Sequence, residues 1–393
     1  MTPSAPTLAF VESPVQLLNV LEWAHVRATA PGARPLDGIP PQRTRAAAAP
    51  APAPVTDPAP AAAVRIVVLP PTDPMSRGQL RRMAALARDE GHEVCWQEAR
   101  GSRLAPLRAL AALARDVRAA RTVVVGDPFS RYVQLLLTLV RAEELVVVDD
   151  GTATMEFVAQ TARGERLVRW HRAGGGGLPG RVRELAYAPV SATARRRFTP
   201  APVAAGGRRA DRRVELFTAM PVVPHGAMTL RANEFAWTRA RFGPPRLTKG
   251  TDLVGTSLVE TGVVDPDRYL DAVRALATEH GATRYFAHRR ESAEKLRALS
   301  RATGLEIVRP DLPLELTARR GPVGRTVLSF PSTVVHTLPY ALAGTGVTVA
   351  VCEVDPAWLT GSATPRARSF LAGVTDTARD VRRLPAGTAS TAG

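Results

Sequence analysis

The segment TVVVGDPFSRYVQLLLTLVRAEELVVVDDG, residues 122–151, contains two short apolar runs on either side of a helix-length segment. The runs at 122–126 and 145–148 are continuously apolar, which is typical of strands covered on both faces of a parallel sheet. Similar runs, separated by amphipathic segments, occur at 7–12, 65–69, 94–97, 253–257, 284–287, 306–308, 325–329 and 347–351. We therefore predict an α/β protein with two Rossmann-like domains.

The length of 393 residues is consistent with two domains. We expect an N-terminal domain at 1–212 and a C-terminal domain at 213–393. Residues 31–63 are rich in proline and alanine and contain almost no large apolar side chains, so we expect a disordered insertion there.

Composition excludes several classes of protein. Cys95 and Cys352 are the two cysteines, too few for a disulfide framework or a cysteine-based zinc cluster. No apolar run approaches the roughly 18 residues that span a bilayer. The N-terminus has no basic region before its apolar stretch, so we interpret that stretch as a strand and not as a signal peptide. We expect a cytoplasmic protein and leave peripheral association with the inner face of the membrane open.

Motifs for common cofactors are missing from the sequence. Its glycine run at 174–177 follows a basic segment, so no Gly-x-Gly-x-x-Gly fingerprint follows a predicted strand. The sequence also contains no phosphate-binding loop with a lysine and no Gly-x-Ser-x-Gly elbow. The seven histidines do not have metal-ligand spacing. Asp149 and Asp150 have the chemistry to bind Mg²⁺, but nothing else in the sequence supports such a site. We therefore expect neither a metal nor a bound cofactor.

The net charge of +16 is unevenly distributed. Residues 163–213 contain thirteen arginines and three acidic residues, a net charge of +10. Such a patch attracts polyanions such as an acidic polysaccharide or an acidic membrane. Because Lys249 and Lys295 are the only lysines, the arginine content also fits the codon bias of a GC-rich genome. A solvated arginine-rich loop therefore remains the alternative.

In open α/β sheets, ligands bind beyond the carboxyl ends of the strands, so the residues after each predicted strand are the candidates. Asp149 and Asp150 follow the run at 145–148, and repulsion between adjacent carboxylates raises one pKa toward that of a general base. Gly151 then permits a tight turn. The alternative is that an aspartate caps the next helix.

Three further candidates lie in the C-terminal half. His288 precedes Arg289 and Arg290, a combination that suits a phosphate. Ser332 and Thr333 open a predicted helix whose N-terminus attracts anions. Glu315 has the chemistry to accept hydrogen bonds from a ribose diol. Each also has a structural interpretation: a strand-end histidine, a serine N-cap and a first-turn glutamate.

Taken in order, seven short motifs resemble those of the bacterial polysialyltransferase and lipooligosaccharide sialyltransferase family. The resemblance covers most of the chain outside 31–63 and 170–250. The motifs are Val11–Asn19, Gly126–Tyr132, Asp149–Thr152, Gly255–Glu260, Tyr285–Glu291, Pro313–Glu315 and Ser329–Thr333.

The resemblance implies a GT-B fold with CMP-sialic acid between two Rossmann-like domains, and a metal-independent reaction that inverts the anomeric centre. It implies that Asp150, or as second choice Asp149, is the base for the acceptor hydroxyl. His288 would serve the CMP phosphate as hydrogen-bond donor or general acid, although Arg289 replaces the proline of the family motif.

The resemblance further implies that Ser332 and Thr333 hold the phosphate and that Glu315 binds the CMP ribose. Ser13 and Arg289 complete the expected donor-side set. The expected partners are a CMP-activated sugar and a glycan acceptor, with an anionic acceptor as one option, and no nucleic acid. Two alternatives remain open: a GT-B transferase for another nucleotide sugar, and a non-catalytic protein that binds polyanions.

Overall fold

The computed structural model describes residues 7–29, 63–100, 105–169, 178–199, 212–378 and 380–385. Apart from Ala63, the segment predicted to be a disordered insertion lies outside these residues. The strands are β1 (Thr7–Val11), β2 (Val64–Val68), β3 (Glu93–Trp96), β4 (Thr122–Val125), β5 (Glu144–Val148), β6 (Arg213–Thr218), β7 (Met228–Ala232), β8 (Leu247–Val254), β9 (Ala282–Phe286), β10 (Glu306–Val308), β11 (Val323–Ser329), β12 (Thr348–Cys352) and β13 (Arg382–Leu384).

The helices alternate with these strands along the chain. They are α1 (Pro14–Thr29), α2 (Pro74–Asp89), α3 (Ala105–Ala119), α4 (Arg131–Leu139), α5 (Thr152–Ala162), α6 (Leu178–Phe198), α7 (Ala236–Arg241), α8 (Pro266–Glu279), α9 (Ala293–Thr303), α10 (Leu314–Arg320), α11 (Val334–Ala341) and α12 (Pro365–Thr377). None of the described helices has the length and hydropathy needed to cross a membrane.

The strands form two separate sheets. The first has the order β3-β2-β1-β4-β5-β6-β7, and its strands β1 to β6 pair in parallel. The second has the order β10-β9-β8-β11-β12-β13, and every one of its pairings is parallel. The chain thus contains two Rossmann-like α/β units, which confirms the predicted GT-B domain content.

The apolar runs are the central strands, as their sequence predicts. All residues of β4 are buried, as are the last four residues of β1 and of β5. In the second sheet, the buried carboxylate of Asp252 in β8 accepts two hydrogen bonds from Arg284 of β9, at 2.9 and 2.8 Å. It also accepts the backbone N–H of Gly324 in β11, so one aspartate links three adjacent strands.

The structure moves the expected boundary between the domains. Residues 213–218 were predicted to open the C-terminal domain, but they form β6, which pairs with β5 in the first sheet. One compact unit comprises residues 1–72, 83–218 and 223–231, and the other comprises 73–82, 219–222 and 232–393. These are called the first and the second unit below.

Candidate functional site

Each sheet has a point where successive connections leave in opposite directions. In the first sheet, β1 lies between β2 and β4, and in the second sheet β8 lies between β9 and β11. The carboxyl ends of the strands flanking such a point form the usual ligand-binding edge of this fold. The sequence-predicted residues after β5, β9 and β11 lie at these two edges.

Asp149, at the carboxyl end of β5, has a structural role. Its side chain is buried, and its Oδ1 accepts hydrogen bonds from the Gly151 N–H at 2.9 Å and the Thr154 hydroxyl at 2.6 Å. Gly151 has a φ of +67°, a conformation that favours glycine. The predicted alternative of an aspartate that stabilises the start of the next helix therefore describes Asp149.

Asp150 has the surroundings of a functional carboxylate. Its side chain is 14% exposed, and its Oδ2 accepts a hydrogen bond of 2.6 Å from Nη2 of Arg169. The same nitrogen donates to Asp127 at 2.9 Å. Burial raises the pKa of Asp150, the Asp127 carboxylate raises it further, and Arg169 and Gln16 oppose the rise. The net effect is a raised pKa, so the carboxylate of Asp150 is more basic than that of an exposed aspartate.

Two more carboxylates lie near Asp150, after β1 and β4. Glu12 accepts a hydrogen bond of 2.6 Å from the Ser130 hydroxyl and forms a short ion pair with Arg100. Burial raises the pKa of Glu12, while Arg100 opposes the rise and Asp127 adds to it. We call Glu12, Asp127 and Asp150 the acidic cluster.

The acidic cluster contains residues that sequence reasoning did not single out. Glu12 and Asp127 follow their strands just as Asp150 follows β5, and both occur in the quoted motifs, so the strand-end rule could have found them. Tyr132 lies nearby with a buried hydroxyl that has no hydrogen-bond partner among the described residues. Burial and the Glu12 charge raise the pKa of Tyr132 to about 12.

Ser13 lies directly before Pro14, the first residue of helix α1. Its hydroxyl accepts the backbone N–H of Gln16 at 3.2 Å. The Gln16 side chain turns back so that its Oε1 accepts the Glu12 N–H at 2.7 Å. Ser13 thus supports the acidic cluster of the first unit through its helix, and its expected donor-binding role remains a prediction.

His288 follows β9 in the second unit. Its Nδ1 accepts the backbone N–H of Arg290 at 3.2 Å, so a neutral ring carries its proton on Nε2. Burial, together with the charges of Arg289, Arg290 and Lys295, lowers the pKa of His288 to about 4. A neutral imidazole donates a hydrogen bond through Nε2, so of the two expected roles the geometry favours hydrogen-bond donor over general acid.

A buried network fixes the loop that carries His288. Glu291 accepts the His288 N–H at 2.6 Å with one oxygen and the Tyr285 hydroxyl at 2.6 Å with the other. Lys295 forms an ion pair with Glu291 at 2.8 Å and donates to the carbonyl of Thr256 after β8. A Cβ at Gly255 would lie 2.2 Å from Glu291, so this close approach requires glycine.

Ser332 and Thr333 follow β11. Thr333 is the residue at which α11 begins, yet its side chain makes no capping hydrogen bond. The Ser332 hydroxyl lies 3.3 Å from that of Ser329. Both residues are half-buried. The alternative of an ordinary N-cap is therefore not what the structure shows.

Glu315 lies in the first turn of α10 and is only 6% exposed. Its Oε1 accepts the Thr337 hydroxyl at 2.6 Å, which ties α10 to α11. Burial raises the pKa of Glu315, and the Thr337 hydrogen bond opposes the rise.

Arg289 is exposed beside His288. The structure thus places Asp149, Asp150 and Ser13 in the first unit and the other candidates in the second. Within the described residues, no group of three or more histidine, cysteine or acidic side chains is arranged to hold a metal ion.

No family model and no curated protein matches the sequence. Among solved structures, the chain is similar to the α/β-galactoside α-2,3-sialyltransferase of Photobacterium phosphoreum, with 9% identity, a TM-score of 0.46 and coverage of 96% of this chain and 98% of that one. It is also similar to the UDP-GlcNAc 2-epimerase of Neisseria meningitidis, with 9% identity, a TM-score of 0.41 and coverage of 94% and 86%. These identities and scores are too low to assign a function to this chain.

Proposed function

We propose that this protein is an inverting, metal-independent glycosyltransferase that uses a CMP-activated sialic acid or related ulosonic acid. In this reaction, a hydroxyl oxygen of the acceptor glycan forms a bond to the anomeric carbon of the donor. The bond between that carbon and the phosphate oxygen breaks, and CMP leaves with the electron pair. The proton of the acceptor hydroxyl goes to a carboxylate of the protein.

Asp150 is the proposed base. Burial raises the pKa of its carboxylate, its Oδ2 accepts a hydrogen bond from Arg169, and it lies at the ligand-binding edge of the first sheet. Asp149 is only 2% exposed, and its Oδ1 already accepts two hydrogen bonds, so it is less accessible to an acceptor hydroxyl than Asp150. We therefore propose Asp150 as the base and keep Asp149 as the second choice.

The donor phosphate is proposed to bind at the edge of the second sheet. His288 donates through Nε2, and Ser332 and Thr333 add hydroxyls next to the N-terminus of α11. These groups stabilise the negative charge that develops as CMP leaves. Glu315 is proposed to accept hydrogen bonds from the ribose, with Thr337 holding its carboxylate in position. Arg289 adds positive charge beside the phosphate.

The observation that carries the proposal is the neutral imidazole of His288 together with the hydroxyls of Ser332 and Thr333. A half-buried neutral imidazole and two hydroxyls not used as helix caps follow β9 and β11, the two strands that flank β8 in the second sheet. A ligand with a phosphate group satisfies all three. The acidic cluster in the first unit supplies the base that such a donor needs for transfer.

The variant Asp150→Asn tests the proposal. It should reduce transfer from a CMP-sugar by about 10²–10⁴-fold, the usual contribution of a general base, while CMP binding by calorimetry stays unchanged. Asp89→Asn, an exposed aspartate at the end of α2, is the matched control and should behave like the wild type. Wild-type turnover in Asp150→Asn would show that Asp150 is not the base.

A donor comparison separates the proposal from its two alternatives. Calorimetry with CMP and UDP distinguishes a CMP-sugar transferase from one that uses another nucleotide. Slow hydrolysis of the donor without an acceptor distinguishes an enzyme from a protein that only binds polyanions. Binding of UDP but not of CMP, or no donor hydrolysis and no transfer, would overturn the proposal.

A further inference from the structure

A small pocket in the first unit is lined by arginines together with other polar and apolar side chains. Three arginines line it, together with a tyrosine and a serine of α6; these residues are Arg131, Arg166, Arg169, Tyr187 and Ser191. The pocket lies wholly within residues that belong to the first unit. The guanidinium groups in this lining are suited to binding an anion.

Two buried glutamines hold the segment that carries Arg166 and Arg169. Gln134 of α4 donates to the carbonyl of Leu167 at 3.0 Å. Gln160 of α5 donates to the carbonyl of Val168 at 2.8 Å and accepts the N–H of the same residue at 3.1 Å. A solvated arginine-rich loop would need no such bonds. The arginines are therefore presented by a fixed backbone, which lowers the entropic cost of binding.

Some of the polar groups in the pocket can form hydrogen bonds with a ligand. The Ser191 hydroxyl is buried and has no hydrogen-bond partner among the described residues. The guanidinium of Arg131 lies over the ring of Tyr187, 5.5 Å from its centroid, and forms no ion pair with a described residue. A carboxylate can accept hydrogen bonds from both a guanidinium and a hydroxyl.

Arg169 connects this pocket with the proposed base. Its guanidinium lines the pocket, lies 5.8 Å from the centroid of the Phe129 ring and donates to Asp150. An anion in the pocket would compete with Asp150 for this guanidinium. The carboxylate of Asp150 would then lose part of its stabilisation as an ion and become a stronger base.

We propose that the pocket lined by Arg131, Arg166 and Arg169 binds the carboxylate of an acidic sugar in the acceptor, and that Arg169 couples its occupancy to Asp150. The coupling rests on the proposed function, whereas the binding of a carboxylate does not. The pocket therefore selects acceptors whose sugar next to the reacting hydroxyl carries a carboxylate.

Binding is measured without a donor, so that the result is independent of transfer. The probes are disaccharides that end in glucuronic acid or in N-acetylneuraminic acid, each compared with its uncharged methyl ester at the same ionic strength. At least one carboxylate probe should bind about tenfold more tightly than its ester, because a charge-assisted hydrogen bond is lost in the ester.

The variants Arg131→Gln and Arg166→Gln should each remove most of that difference between carboxylate and ester. Arg196→Gln, an exposed arginine of the same basic segment that does not line the pocket, is the matched control and should retain the difference. Circular dichroism verifies that each variant is folded. Equal affinity for both carboxylates and their esters, or wild-type discrimination in both pocket variants, would overturn the proposal. If carboxylates bind but Asp150→Asn transfers normally, the pocket stands and the proposed base fails.

Discussion

At the scale of single residues, Asp149 and Asp150 show why adjacent carboxylates differ in chemistry. Both follow the same strand, but alternate residues of an extended chain point in opposite directions. Asp149 is buried and accepts hydrogen bonds from the Gly151 N–H and the Thr154 hydroxyl, while Asp150 accepts a hydrogen bond from Arg169. The pair could be located from the sequence, but the choice between its members required the position of Arg169.

His288, Ser332 and Thr333 make a prediction at this scale. His288→Ala, and the double change of Ser332 and Thr333 to alanine, should weaken CMP binding by about tenfold each, since each removes a hydrogen bond to a charged group. Cytidine binding should change much less because cytidine has no phosphate. Calorimetry with the two ligands measures the difference.

His225→Ala, an exposed histidine, is the control for this comparison and should leave the affinity for both ligands unchanged. Equal losses of CMP and cytidine affinity in the site variants would mean that these residues act through folding and not through the phosphate.

At the scale of elements, the acidic cluster depends on the contact between β4 and α1. A Cβ at Gly126, just after β4, would lie 2.5 Å from Oε1 of Gln16. Gln16 supports the site twice, since it accepts the Glu12 N–H and donates to Asp150. Glycine at 126 therefore permits the helix to place an amide between the Glu12 backbone and the Asp150 carboxylate.

The variant Gly126→Ala should displace the Gln16 side chain and lower the rate of transfer by about five- to tenfold, the equivalent of one lost hydrogen bond. CMP binding should remain, because the proposed donor residues lie in the second unit. Gly78→Ala is the matched control, since a Cβ there meets no atom within 4 Å. A normal transfer rate in Gly126→Ala would show that Gln16 is not needed to position Asp150.

Apolar runs and caps made many of the elements predictable. Strand β10 occupies the predicted range 306–308, and β4 lies within the predicted run 122–126. The sequence pattern did not reveal elements that contain polar side chains held by tertiary contacts. Strand β6 contains Glu215, whose buried carboxylate accepts the indole N–H of Trp23 at 3.1 Å, so its run does not appear continuously apolar. Helix α6 contains Pro189 and many arginines, which hide its periodicity.

The candidate site was predictable to the same extent. The strand-end rule singled out Asp150, His288 and Ser332 as candidates, because each follows a strand. Glu315 lies in the first turn of α10 and was a candidate because of its carboxylate chemistry. The strand-end rule could not identify Arg169, which lies in a segment without helix or strand and reaches Asp150 only through the fixing of that segment by Gln134 and Gln160. Partners brought in from distant loops leave no periodic signal in the sequence.

At the scale of the whole molecule, the net charge of +16 and the arginine-rich residues 163–213 attract anions over a distance. The pocket proposed above binds its ligand by direct contact. The structure distinguishes the arginines of the triplet 195–197. Arg195 donates to the carbonyl of Gly164 at 2.9 Å, and burial lowers the pKa of Arg197, whereas Arg196 is exposed. A steering effect therefore depends on the summed field more than on any one of these three residues.

For a long anionic acceptor, we predict that KM rises steeply as ionic strength increases from 0.02 to 0.3 M (about 20 to 5 Å of screening length). For a short neutral acceptor, KM should change little, because no long-range attraction is lost. Replacing Arg195, Arg196 and Arg197 together by glutamine should reproduce part of the high-salt effect at low salt, with a fold check because Arg195 also holds Gly164. Initial-rate kinetics with both acceptors measure these effects. If KM for the long acceptor is indifferent both to salt and to the triple replacement, the arginines reflect codon bias on a solvated surface and steer no acceptor.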